Sequence, residues 1–284
     1  MITIPFIFDY TLLIIMIGTF FLGLSSGALG VFSLLRKQSL LNDAISHACL
    51  PGVALAFLCT YNPTPFFLLS GGALSGGLST LLIYYVTQTT SLPFDAMLGV
   101  TLSVFFGIGL MLMTLIQNTT LPRQAMLNKF IFGNAATLLY SDVLAIVIIA
   151  SFIILLLIVF WKEFKLMTFN AQQARTMGYP IHRLQFLFTI ILLANIVIGL
   201  QTVGAILMSA MIIAPAAAAR QWCDTLKTHV IVASLCGGIM GTLGSFISSM
   251  HPHLPTGPII TILNSALVGF SITYNSYKQH TNKQ

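Results

Sequence analysis

Asp43 stands four positions before His47 within the stretch Asn42-Asp43-Ala44-Ile45-Ser46-His47-Ala48-Cys49-Leu50-Pro51-Gly52. It is one of six acidic residues in a chain of 284. On a helix, positions i and i+4 share a face, so a carboxylate and an imidazole would point the same way. Oxygen and nitrogen donors together suit manganese, iron or zinc. Apolar sequence closes in on both sides of the pair. A charge at membrane depth costs from about 2.5 to over 10 kcal/mol, so groups kept there face a polar cavity, a partner or an ion path. A second reading makes Asp43 the cap of an interfacial helix, with His47 one turn on. The spacing alone leaves both readings open.

The elements that must position this pair follow from composition. The chain is 57% hydrophobic and 6% charged, against about 25% charged residues in an ordinary soluble domain. This excludes a soluble enzyme and predicts an all-α fold: a polytopic transmembrane helical bundle of eight or nine spans in one domain, residues 1–284. Apolar runs near 20 residues long place spans at about 10–35, 44–61, 65–87, 96–117, 142–161, 229–250 and 258–276. The second is short and interrupted by Pro51-Gly52. The run 184–219 is too long for one ordinary span and divides near Leu200-Gln201-Thr202, into about 185–200 and 203–219.

Loop charge supports that division. With nine spans and the N-terminus outside, Arg36, Lys37, Lys162, Lys165, Arg175, Arg183, Arg220, Lys227, Lys278 and Lys283 fall inside, and only Arg123 and Lys129 outside. A single crossing at 184–219 would erase this positive-inside bias. The C-terminus is then cytoplasmic. The net charge of +6 belongs to membrane orientation and implies no nucleic-acid partner. Small-residue steps at Gly23/Gly27, Gly72/Gly76 and Gly237/Gly241 predict close helix approach in lipid. Gly23-Leu24-Ser25-Ser26-Gly27 resembles a nucleophile motif but lacks the strand-turn-helix context that a hydrolase needs. Cys49, Cys59, Cys223 and Cys236 form no CxxC pair and are expected to be free thiols.

The longest inside loop, 162–183, contains a predicted short helix from Ala171 to Met177, capped by Asn170, stopped by Gly178 and kept from resuming by Pro180. Such a helix at the membrane surface is either an interfacial anchor or a docking element for a cytosolic partner. In the outside loop, His251 and His253 flank Pro252 and are candidates for accepting metal at the outer mouth, or are solvated loop residues. His182, His229 and His280 carry no role beyond interface placement.

Four segments together resemble the membrane subunit of ATP-binding-cassette importers for zinc, manganese and iron. They are Leu34 through Gly52, with its Leu-Arg…Asp-Ala-x-Ser-His-Ala…Pro-Gly pattern; Phe169 to Gly178; Gly204 to Arg220; and Leu254-Pro255-Thr256-Gly257-Pro258. The resemblance implies a permease that carries a divalent metal as cargo and holds no permanent cofactor, in the cytoplasmic membrane. It implies that Asp43 and His47 line the metal path. It also implies that Asn170, Ala171, Ala174 and Gly178 belong to the element that docks on a cytoplasmic ATP-binding subunit. An extracytoplasmic metal-binding protein and a second permease copy or paralogue complete the expected assembly. The chain departs from the family where many members carry an acidic residue near Ala171 or Ala174; here Asn170, Gln172 and Gln173 stand instead. The chain has no phosphate-binding Gly-x-x-x-x-Gly-Lys-Ser/Thr loop, so ATP hydrolysis is expected on a separate partner. A secondary transporter using Asp43 and His47 as an ion-coupled site, and a membrane-embedded enzyme using the same pair, are the rival readings.

Overall fold

A computed structural model describes residues 10–60, 64–118, 133, 135, 138–250 and 255–281. Eleven α-helices run through these residues. They are α1 Tyr10–Leu35, α2 Ser39–Thr60, α3 Pro65–Thr89, α4 Phe94–Gln117, α5 Tyr140–Val159, α6 Trp161–Phe169, α7 Ala171–Thr176, α8 Ile181–Leu200, α9 Ala205–Arg220, α10 Leu226–Ser249 and α11 Thr256–Thr281. Eight of them are long and apolar enough to cross a membrane. The remaining apolar helix of any length is α9, with 16 residues.

α9 nevertheless runs beside most of the length of α11. At its start, the Thr256 hydroxyl at the head of α11 donates to the Thr202 carbonyl at 3.5 Å. Further along, the Ser271 hydroxyl donates to Ala218 O at 2.8 Å, and Asn275 Nδ2 to Gln221 Oε1 at 2.9 Å. α9 and α11 therefore run in the same direction over the same interval. At 1.5 Å per residue α9 spans about 24 Å. The chain turns back at Gln201–Gly204, where Gly204 has φ +88°, a conformation open to glycine at no steric cost. The division of 184–219 into two helices at Gln201–Gly204 thus holds, and α9 is shorter than the eight helices of membrane length.

α1 and α10 set the core. They lie antiparallel at backbone contact, with Gly23 against the carbonyl of Gly237, Gly27 against that of Ala233, and Gly241 against that of Thr19. Gly30 meets the carbonyl of Ile212 in α9 in the same way. Two of the three small-residue steps thus form one seam; between α2 and α3 the tightest approach is Gly52 on Gly71. Without a hydrophobic force between helices in lipid, such close packing supplies much of their association. A side chain at Gly23 would collide with backbone that cannot rotate away. Gly23→Val is expected to destabilise the fold by about 1–3 kcal/mol or more, read as a lowered unfolding midpoint in detergent. An unchanged midpoint would contradict the seam.

Two expectations need correction. α2 continues unbroken through Pro51, because the proline ring seats on Gly109 of α4, which has no side chain to clash; packing overrides the local breaker. Residues 162–169, expected as loop, form α6, with Phe164 and Met167 buried. α7 ends at Thr176, with Asn170 Oδ1 accepting from the Gln173 amide at 2.9 Å as the sequence predicts.

Successive long helices alternate in direction, and this gathers the basic residues. Arg36, Lys37, Lys162, Arg175, Arg183, Arg220, Lys227 and Lys278 lie in the end turns of helices or just beyond them, with Lys165 on the short helix α6, all at one end of the bundle. Arg123, Lys129 and Lys283 lie outside the described residues.

Candidate metal-path site on α2

The position of Asp43 is set by how α1 ends. Lys37 takes a left-handed conformation, φ +56°, and the Gln38 amide returns to Ser33 O at 2.9 Å. This closing motif reverses the chain within three residues. The Ser33 hydroxyl then donates to Asn42 Oδ1 at 3.2 Å, buried between the helices. Arg36, at the same turn, lies over the Phe188 ring at 5.4 Å. Burial lowers its pKa to about 10, which still leaves it charged at neutral pH.

α2 begins at Ser39, so Asp43 lies in its second turn and caps nothing. The capping reading is excluded by the helix boundary. Asp43 Oδ1 and His47 Nε2 face each other at 3.3 Å. Zinc bonds of about 2.0–2.2 Å to oxygen and nitrogen, at a tetrahedral angle, separate two ligand atoms by about 3.3–3.5 Å. The pair is in direct contact as an ion pair or hydrogen bond, and the same separation would let both atoms reach one ion.

Two other helices complete the surroundings. The His47 ring meets Phe106 of α4 edge to face, with centroids 4.6 Å apart. Ser209 of α9 lies beside the Asp43 carboxylate. His47 is 12% exposed and Asp43 34%, so the carboxylate opens outward from the single chain while the imidazole is held by packing. Among the described residues no third His, Cys, Asp or Glu joins them. The chain thus offers a partial coordination shell open on one side. Such a shell suits a station that an ion must leave as well as enter.

The other candidates separate from this pair. His251 and His253 lie outside the described residues. Asn170, Ala171 and Gly178 are exposed around α7, but Ala174 is fully buried within the chain, so its side chain offers nothing to a partner. His229 is buried, with Nε2 2.9 Å from Ala216 O; it joins α10 to α9. The cysteines among the described residues are all free, Cys49 buried and Cys59 exposed. Ser25 and Ser26, in the stretch that resembles a nucleophile motif, instead hold Asn195 of α8: Ser25 Oγ donates to Asn195 Oδ1 at 2.6 Å, and Asn195 Nδ2 to Ser26 Oγ at 2.9 Å. Sequence reasoning assigned no role to Ser209 or Phe106. Both approach α2 from distant segments, and no local pattern marks them.

Known proteins share the sequence pattern and the fold of this chain. The family described as the ABC 3 transport family matches residues 9–275. The zinc transport system membrane protein TroC of Treponema pallidum is 44% identical over 264 residues, covering 93% of this chain and 89% of that protein. The manganese transport system membrane protein MntC of Bacillus subtilis is 44% identical over 259 residues, covering 91% of this chain and 59% of that protein. Among solved structures, PsaBC from Streptococcus pneumoniae in complex with Fab superposes with a TM-score of 0.80 at 29% identity, covering 93% of this chain and 91% of the other. With the family matched over nearly its whole length and its fold shared with a solved relative, the chain belongs to the ABC 3 transport family of membrane permeases.

Proposed function

We propose that this chain is the permease subunit of an ATP-driven importer for a divalent transition metal, and that the metal passes beside Asp43 and His47. The observation that carries the reading is the pair itself, two donor atoms 3.3 Å apart on one helix of an ABC 3 family fold. Relatives named for zinc and manganese support that cargo class, and a relative named as a probable iron transport membrane protein extends it. Water or a second permease copy, identical or paralogous, completes the ion's shell on the open side of Asp43. The positive-inside rule supports a cytoplasmic position for the basic end of the bundle, and with it α6 and α7 as the docking element for an ATP-binding subunit. A metal-binding protein delivers cargo at the opposite end, and the assembly sits in the cytoplasmic membrane.

The test is uptake by reconstituted vesicles, with and without the ATP-binding subunit. Accumulation of manganese or zinc should require that subunit and ATP. Uptake by the permease alone, driven by an ion gradient, would instead establish a secondary transporter.

A further inference from the structure

The surface around α7 carries one sign of charge. Between Trp161 and Leu184 the exposed charged side chains are Lys162, Lys165, Arg175 and Arg183. The one carboxylate, Glu163, is partly buried, with Oε2 enclosed. Arg175 occupies the last turn of α7, where a cation also complements the helix dipole. Around it stand large exposed apolar side chains: Phe169 at 62%, Met177 at 59% and Tyr179 at 38% exposure. They project from the basic end of the bundle, beyond the long apolar helices. An exposed apolar group rimmed by charge marks a site of protein or membrane interaction, and the place of α7 beyond the ends of the long helices favours a protein.

We propose that α7 docks into an anionic groove of the ATP-binding subunit, with Arg175 supplying the ionic contact and Phe169, Met177 and Tyr179 the apolar one. The inference rests on the docking role assigned to α7 above and names the chemistry of its partner. The neutral face of Asn170, Gln172 and Gln173 offers no carboxylate for a basic groove. Specificity for the cognate subunit then comes from charge complementarity, which sets association rate and rejects wrong partners.

The experiment measures binding of the purified ATP-binding subunit to the full-length permease in lipid-free detergent, at low and high salt. Arg175→Glu should weaken binding about tenfold or more, whereas Arg175→Lys keeps most of it. Wild-type binding should weaken with salt, and the Arg175→Glu variant should respond less. Gln172→Trp, a bulky change on the exposed face of α7, serves as a steric probe. If Gln172→Trp blocks binding while Arg175→Glu binds as tightly as wild type, the anionic groove is wrong and docking at α7 stands. If neither variant weakens binding, α7 is not the docking element and the proposal falls with it. Salt-independent wild-type binding would also overturn the proposal. Arg175 is exposed, so the variant's fold can be verified independently by its elution volume and helix content.

Discussion

Vesicles carrying Asp43→Asn are expected to accumulate no metal above background, at equal incorporation and with ATP hydrolysis by the partner retained. Asn keeps the volume of Asp but removes the charge that attracts a divalent ion, and with it one of two ligand atoms. His47→Gln should do the same by removing the ring nitrogen. Losing one donor from a shell to which this chain supplies only two leaves little affinity behind. Both side chains lie on a partly open face of α2 and are only partly buried, so neither substitution should unfold the bundle. Near-normal uptake by either variant would remove that residue from the path.

The second large effect is expected at Gly178. Its φ of +82° lies far from the value near −65° that proline requires, and its amide donates to Arg175 O at 3.0 Å. Gly178→Pro loses both, a local cost of about 3 kcal/mol, and should unwind the end of α7. α7 connects inward through contiguous packing. Ala174 is buried beneath it, and Phe164 and Phe188 meet at 5.7 Å between α6 and α8. Phe32, at the inner end of α1, touches both rings, at 6.0 and 6.3 Å. The α1–α2 turn and then Asp43 follow directly. A distorted α7 should therefore separate ATP hydrolysis from uptake: hydrolysis continues, and metal accumulation falls tenfold or more. Transport and hydrolysis that remain coupled in Gly178→Pro would place the coupling contact elsewhere.

The long helices were legible because hydropathy and loop charge act locally and add along the chain. Even the hidden division at Gln201–Gly204 could be inferred from where the lysines and arginines must lie. What escaped depends on partners far away in sequence. Pro51 reads as a break, yet Gly109 of α4 makes room for it within a continuous helix. The polar segment that begins at Lys162-Glu163 reads as loop, yet Phe164 and Met167 give it a buried face. Asp43 reads as a possible cap because the start of α2 is hidden in a polar stretch; the Gln38–Ser33 bond fixes that start one turn earlier. Ala174, assigned to docking by its place in a motif, is turned inward. The Asp43/His47 spacing alone put two reactive groups on one face. Their neighbours Ser209 and Phe106 emerge only once α9 and α4 pack on α2.

The central claim, that Asp43 and His47 hold the passing ion, is tested most directly by magnetic resonance of bound Mn²⁺. Pulsed electron paramagnetic resonance on the assembled transporter, loaded with Mn²⁺ alone, detects imidazole nitrogen coupled to the ion. If the pair holds the ion, this coupling appears in wild type and is lost in His47→Gln, and Mn²⁺ occupancy is greatly reduced in Asp43→Asn. Nitrogen coupling of undiminished strength in His47→Gln, with full occupancy in Asp43→Asn, would contradict the claim.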